Sequence, residues 1–460
     1  MRPDQSNVKA CLEALAEALP GRIGVGEAVR RQHGNALTLI ANEPPDAVVW
    51  PETTEEVAGI VRCAARFAVP LIGFGGGTSL EGHVNAPHGG ISVDFSRMTK
   101  VLAVRPEDLD CTLEAGVTLD QLRQELKPTG LFFPVDPGSG AATLGGMAAT
   151  RASGTTTVRY GSMRDNVLNL KVVLASGDII ETARRARKSA SGYDLTRLFV
   201  GSEGTLGLIT GLTLKLYGVP ESVVAAVSVY DMVARACDAA IAAMQTGLCV
   251  ARMELLDAVQ IRAVNLHSGL ALKEAPTLFT EFHGSSGACR EDLAAFEGLA
   301  KDSGAISVAA ASDEDGRRAL WRARHDAFWA VKSLWHGREV LVTDVAVPLS
   351  RLASVVDATA QDVDRTGLTA PIVGHVGDGN FHCIVVLDPA NAGERSRVEG
   401  FLERLVARAL AAGGTATGEH GIGQGKKRFM PAEHGSAVEV MRTLKSALDP
   451  LGLMNPGKIF

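Results

Sequence analysis

No Cys-x-x-Cys pair occurs anywhere in the 460 residues, although seven cysteines are present. That absence argues against a ferredoxin-type iron–sulfur cluster and against a cysteine zinc ribbon. An odd count without regular spacing fits reduced thiols in a cytosol-like compartment. Cys383, beside His382, is read as a buried structural thiol. No run of about eighteen apolar residues is found, so no segment is expected to span a membrane. The start, Met1-Arg2-Pro3-Asp4-Gln5, lacks an apolar signal core and is too polar and acidic for a transit peptide. A soluble, cytoplasmic protein is therefore expected, with peripheral membrane association through an electron acceptor as an option. Basic excess is missing too: the formal net charge of −6 disfavours a nucleic-acid or anionic-membrane partner. Arg184-Arg185-Ala186-Arg187-Lys188 is the local exception, read as a solvated loop or, more sharply, as a dock for an acidic electron-transfer partner. Internal repeats and low-complexity tracts are absent.

What is present is a chain too long for one ordinary core, so at least two domains are expected. Val8 to Ala18 repeat apolar positions at helical spacing, giving a helical lead-in over 1–44. Val48-Val49-Trp50 reads as a strand, and Thr53-Thr54-Glu55-Glu56 as a cap entering a helix over Val57 to Phe67. Pro70 to Gly73, Ile91 to Phe95 and Thr112 to Gly116 read as short strands, and Leu119 to Leu126 as a helix stopped by Pro128-Thr129-Gly130. Further strands are expected over Val167 to Leu174 and Leu208 to Tyr217. Beyond Pro220, strand-like runs (Ser222 to Tyr230, Thr277 to His283, Ala305 to Ala309) alternate with alanine-rich helices. The second half therefore reads as an α+β domain with helices on an antiparallel sheet. The boundary falls near residue 219, giving domains over 45–219 and 220–460.

Gly73-Phe74-Gly75-Gly76-Gly77-Thr78-Ser79 follows a strand, the usual setting for a loop whose backbone amides meet a phosphate. No lysine follows to make a P-loop, and Thr78 spoils the GxGxxG spacing. Alone, the cluster reads equally well as a tight turn. It is accompanied by Asp136-Pro137-Gly138, Ala142-Thr143-Leu144-Gly145-Gly146-Met147, Tyr160-Gly161-Ser162-Met163-Arg164-Asp165-Asn166-Val167, Gly192-Tyr193-Asp194-Leu195 and Gly201-Ser202-Glu203-Gly204-Thr205-Leu206-Gly207. In this order the motifs resemble the FAD-binding PCMH-type domain of the p-cresol methylhydroxylase / vanillyl-alcohol oxidase superfamily. The second half resembles the FAD-linked oxidase C-terminal domain, and the whole looks most like the branch containing D-lactate dehydrogenases, glycolate oxidase flavoprotein subunits and D-2-hydroxyglutarate dehydrogenases.

The resemblance implies a two-part FAD-binding domain followed by an α+β substrate domain. It implies non-covalent FAD held by Gly75, Gly76, Gly77, Thr78, Ser79, Pro137, Gly138, Thr143, Gly145, Gly146, Gly154, Glu203, Gly204 and Asn455. Leu144 to Ala149 have a blander reading as a helix packed closely on the sheet, and both can hold. Some superfamily members tether flavin through histidine; His83 matches no tethering position.

In Gly374-His375-Val376-Gly377-Asp378-Gly379-Asn380-Phe381-His382, Asp-Gly signals a two-residue hairpin tip. With that tip, His375 faces His382 on one sheet face, their Cβ atoms roughly 5 Å apart. Two ring nitrogens can then meet one metal at about 2.1 Å. Gly418-Glu419-His420-Gly421 alone reads as a surface loop. Through the resemblance, Glu419 completes the metal site and His420 acts as base. The set suits Zn2+, with Mn2+ or Fe2+ also allowed. Trp321, Arg324 and Phe328 are expected to share one helix face at i, i+3 and i+7. Arg324 there must find an anion: a structural salt bridge, or, as the resemblance implies, the substrate carboxylate.

The implied activity is oxidation of a D-2-hydroxy monocarboxylic acid, D-lactate-like, to the 2-oxo acid by hydride transfer to flavin N5, the electrons passing on to a quinone, a cytochrome or an electron-transfer flavoprotein. Relatives acting on D-2-hydroxyglutarate hold its second carboxylate with threonine and lysine, where this chain has Phe328 and Val342, so an apolar pocket is expected that disfavours a dicarboxylate and favours a lactate-like monocarboxylate. Competing readings are a D-2-hydroxyglutarate or glycolate dehydrogenase subunit, an alkylglycerone-phosphate synthase-like enzyme, or a non-catalytic flavin subunit. A homodimer is left open.

Overall fold

The computed structural model describes residues 3–35, 37–311 and 314–460; the start of the expected lead-in, Met1 and Arg2, and also Ala36 lie outside them. Local signals became structure where a side chain could close a backbone valence. Thr53 accepts from the Glu56 amide and opens the helix Thr54–Phe67. Thr118 does the same for Leu119–Leu126, whose end passes through a short turn to Gly130 at φ +70°. The lead-in helix Gln5–Ala18 is capped by Asp4 and buries Val8, Cys11 and Leu15.

The chain divides into two compact units. The first comprises residues 3–153, 161–219 and 419–460. It contains a four-stranded sheet in the order Ile23–Gly24, Ala47–Val49, Ile91–Asp94, Leu71–Phe74, in which the last three run parallel. It also contains a five-stranded antiparallel sheet in the order Val101–Arg105, Asp110–Glu114, Leu208–Lys215, Val167–Val173, Ile179–Glu181. One apolar core, from Val8 through Val93, Leu113 and Leu170 to Met454, unites them. The strand expected over Leu208 to Tyr217 stops at Lys215, and Tyr217–Gly218 pairs instead with Leu131–Phe132.

The second unit, residues 154–160 and 220–418, is built on an antiparallel sheet in the order Ser307–Ala310, Ser222–Val229, Thr277–Gly284, Val250–Leu256, Ile372–His375, Asn380–Leu387, Glu339–Val342. Helices such as Ala258–Ser268 and Ala327–Leu334 pack apolar residues (Ile261, Val264, Val331) into a core with Phe279, Val373 and Ile384. The fold is thus α+β with antiparallel sheets. One difference from the expected division stands out. Residues 419–460 cluster with the first unit rather than remaining in a domain over 220–460. Their anchor is backbone pairing: the Leu71 amide donates to the Leu453 carbonyl at 2.8 Å, and the Asn455 amide to the Leu71 carbonyl at 2.8 Å. Among the described residues no helix is long and apolar enough to cross a membrane, and all seven cysteines are free thiols.

Candidate active site

The strand Leu71–Phe74 delivers its glycine loop to the wall of a cleft in the first unit, enclosing about 1240 Å³ with its opening included. Gly75 to Ser79, Pro137, Thr143, Gly145, Gly146, Glu203, Gly204 and Asn455 all line it. The loop lies so close to its neighbours that only glycine fits. A Cβ on Gly76 would meet the Ala141 carbonyl at 2.5 Å, and one on Gly75 would collide with Thr143 Oγ1. The buried Ser79 Oγ has no hydrogen-bond partner among the described residues, an arrangement that suits a bound polar group. An amide-lined loop, an unsatisfied hydroxyl and a cleft of this size fit an extended dinucleotide such as FAD.

Gly145 also satisfies the blander reading: its amide donates to the Ala115 carbonyl at 2.9 Å, and a Cβ there would meet Ala115 Cβ at 2.6 Å. Gly138 and Gly154 are not among the lining residues. The Gly138 amide is used locally by Asp136 Oδ1 at 3.2 Å and the Gly154 amide by Thr157 Oγ1 at 3.0 Å, so both close turns instead.

The lining also includes Ser153, Glu419 and His420. Ser153 Oγ donates to Glu419 Oε2 at 2.9 Å, and His420 Nε2 lies 4.0 Å from Glu419 Oε1. The loop bearing them is tied down by Glu203. Its carboxylate accepts the amides of Ile422 at 2.7 Å and Gly423 at 2.8 Å, while Glu203 itself sits at φ +54°. Asn455 donates to the carbonyls of Glu203 at 2.7 Å and His83 at 3.2 Å. Lys458 Nζ donates in turn to Asn455 Oδ1 at 3.2 Å.

In the second unit, His375 and His382 share a sheet face with ring centroids 5.5 Å apart, but the hairpin register differs from expectation. Val373, not His375, pairs with His382, and Ile372 pairs with Cys383. The turn is a four-residue Val376–Gly379 loop rather than a two-residue tip. Gly379 turns at φ +84° against the Val347 carbonyl, where a Cβ would collide. Slipping by two residues preserves the face because side chains alternate with period two. The imidazoles are therefore diagonal rather than opposed.

Both rings are fixed through Nδ1. His375 Nδ1 donates to Glu254 Oε1 at 2.7 Å, and His382 Nδ1 to the Thr343 carbonyl at 2.9 Å. A carbonyl only accepts, so Nδ1 carries the proton and Nε2 is the lone-pair nitrogen, the tautomer a metal requires. Glu254 is fully buried and also accepts from Arg324 Nε and Nη2, each at 2.7 Å through Oε2. Burial pushes the Glu254 carboxyl up, but Arg324 and His375 outweigh it and hold the group below the usual carboxylate range. The salt-bridge reading of Arg324 is thus realised. The single helix face through Phe328 is not, because the chain breaks at Asp326 and Phe328 lies in a second helix, Ala327–Leu334. Sequence reasoning missed Glu254. The signal was available: Arg252 and Glu254 alternate on one face of an otherwise apolar strand. In the basic run, Arg185 is spent on Asp108 at 3.1 Å and Asp110 at 2.9 Å.

A flavin cleft in one unit and a paired-imidazole sheet in the other define a flavin-dependent oxidoreductase, and comparison with known proteins agrees. Residues 45–183 match the FAD binding domain, and residues 219–459 match the FAD linked oxidases, C-terminal domain. The chain belongs to this family of FAD linked oxidases. It is 51% identical over 441 residues to the probable mitochondrial D-lactate dehydrogenase of Danio rerio, covering 95% of this chain and 88% of the relative. It is 45% identical to the mitochondrial D-lactate dehydrogenase [cytochrome] of Arabidopsis thaliana, covering 90% and 73%. The fold matches p-cresol methylhydroxylase with a TM-score of 0.84 at 16% identity, over 99% of this chain and 97% of that one. These relatives correct the expected cytoplasmic location, since both dehydrogenases are named mitochondrial. Reduced thiols and neutral composition do not tell one reducing compartment from another.

Proposed function

We propose that this flavoenzyme oxidises a D-2-hydroxy monocarboxylic acid of the D-lactate type to the 2-oxo acid. The observation that carries the reading is the pair of imidazoles, His375 and His382, each held through Nδ1, His375 by Glu254, which also binds the Arg324 guanidinium, and His382 by the Thr343 carbonyl. The names of the Danio rerio and Arabidopsis thaliana relatives support D-lactate as substrate.

His375, His382 and Glu419 are assigned as ligands of a divalent ion. Two imidazoles and one carboxylate are a donor set that suits Zn2+ with an open position and also accepts Mn2+ or Fe2+. The ion would supply Lewis acidity that lowers the pKa of a substrate hydroxyl, and FAD would supply a two-electron acceptor taking hydride at N5. Arg324 offers the substrate carboxylate the guanidinium edge that Glu254 does not use. His420 takes the hydroxyl proton as general base. Gly75 to Ser79 and Thr143 wrap the cofactor pyrophosphate. Phe328, packed against the apolar core of its unit, and Val342 favour a monocarboxylate over a dicarboxylate. The Arabidopsis relative's name favours a cytochrome as electron acceptor.

Anaerobic mixing with D-lactate is expected to bleach the flavin band, with D-2-hydroxyglutarate at least tenfold less effective. Metal analysis of the same sample is expected to give one divalent ion per chain, lost in His382→Ala. Bleaching by D-lactate that survives complete metal removal refutes the metal assignment. No bleaching by any 2-hydroxy acid refutes the substrate class.

A further inference from the structure

We infer that His83 is a cofactor-contacting residue: backed by Glu203, its imidazole presents Nδ1 to the flavin and raises the flavin's reduction potential. His83 lines the cofactor cleft and is only 5% exposed. Its Nε2 lies 3.3 Å from Glu203 Oε2. Neither ring nitrogen makes a hydrogen bond among the described residues, and Glu203 faces Nε2, which leaves Nδ1 without a protein partner. A buried imidazole nitrogen without a protein partner, on a ring that lines a ligand cleft, is a group whose partner is the ligand.

Placement identifies which part of the ligand. A Cβ on Gly421, the residue after His420, would lie 2.8 Å from both His83 Nε2 and Glu203 Oε1. The His83–Glu203 pair therefore stands directly behind the Glu419-His420 loop. That loop carries the residue assigned to the substrate proton, so the redox ring of the bound cofactor must come near it. Glu203 is an anion there: burial raises its carboxyl, but His83 and the Ile422 and Gly423 amides outweigh burial and keep it below the ordinary range.

The sign of the effect follows from charge. Reduction makes the flavin more electron-rich, and a buried carboxylate nearby opposes that in a low-dielectric site. Both His83 and Glu203 line the cleft, and the imidazole beside the carboxylate compensates it while offering a polar nitrogen to the ring. Removing the imidazole leaves the anion uncompensated and disfavours reduced flavin. Neutralising the anion does the opposite. His420 cannot substitute, because its role is toward the substrate hydroxyl.

The test uses the full-length, FAD-loaded protein without any hydroxy acid, so it is independent of the proposed substrate and metal. Potentials are read by equilibration with reference dyes. His83→Ala is expected to lower the two-electron potential by about 30 mV, a tenfold change in the oxidised-to-reduced ratio. Glu203→Gln is expected to raise it, and His83→Gln to restore part of the loss. A packed imidazole with no flavin contact would cost thermal stability or FAD content while leaving the retained flavin's potential and absorption band unmoved; that result overturns the inference. If His83→Ala does not retain FAD, the wild-type protein labelled with 15N-histidine decides. The His83 ring-nitrogen signal, assigned by its loss in His83→Gln, must shift when dithionite reduces the flavin. An unshifted signal, or flavin that stays bonded to His83 after acid precipitation, also overturns it.

Discussion

Replacing Glu254 by glutamine changes one atom and forces a choice the buried site cannot accommodate. The carboxylate accepts His375 Nδ1–H on Oε1 and two Arg324 N–H groups on Oε2, all at 2.7 Å. Glutamine has one oxygen and one amino group. If the oxygen serves Arg324, the amino group faces His375 Nδ1 and drives the ring proton to Nε2, the nitrogen assigned to the metal. If the oxygen serves His375, donor opposes donor at the guanidinium. Loss of such an outer partner typically costs 10–100-fold in metal affinity or activity. A buried cation stripped of its anion costs about 3–5 kcal/mol in stability. Glu254→Gln should therefore show a metal dissociation constant raised roughly 10–100-fold in competition with a chromophoric chelator, and a similar fall in D-lactate turnover. Circular dichroism at the assay temperature would verify that the variant is folded. A folded Glu254→Gln protein with wild-type metal affinity and turnover would refute the coupling.

Two further outcomes follow from the same coordinates. Lys458 is buried enough that desolvation lowers its pKa from 10.5 to about 8. Between those values the unfolded chain holds a proton that the folded protein does not, so folding gains stability as pH rises through that window. Relative to Lys458→Met, the wild type should gain up to about 3 kcal/mol there; urea denaturation showing a pH-independent difference would refute this. Gly379→Ala places a side chain at φ +84° against the Val347 carbonyl. The backbone strain alone should cost roughly 1–3 kcal/mol, and an unaltered melting temperature would refute the tight turn.

What could be read from the sequence was local. Thr53 announced its helix because a hydroxyl and the amide it caps lie within one turn of each other, and Pro128-Thr129-Gly130 marked the stop of the helix Leu119–Leu126. The two hairpin histidines were found on the right face but in the wrong register, because Asp378-Gly379 fits several turn lengths and only the contact with Val347 selects one. Glu254 meets His375 through the pairing of strands more than a hundred residues apart, a neighbourhood that no spacing rule reaches. The break at Asp326 was hidden because Arg322 to Trp329 are acceptable helix formers throughout. The return of residues 419–460 depends on a sheet edge at Leu71 that composition does not mark.

That sheet edge sets a timetable for biosynthesis. The cleft wall joins Gly75 to Asn455, residues far apart along the chain. At roughly 5–20 residues per second on the ribosome, the glycine loop is exposed for tens of seconds before the segment that zips onto Leu71 emerges. A nascent chain can present the loop to FAD early, but it cannot close the cleft until Asn455 has emerged.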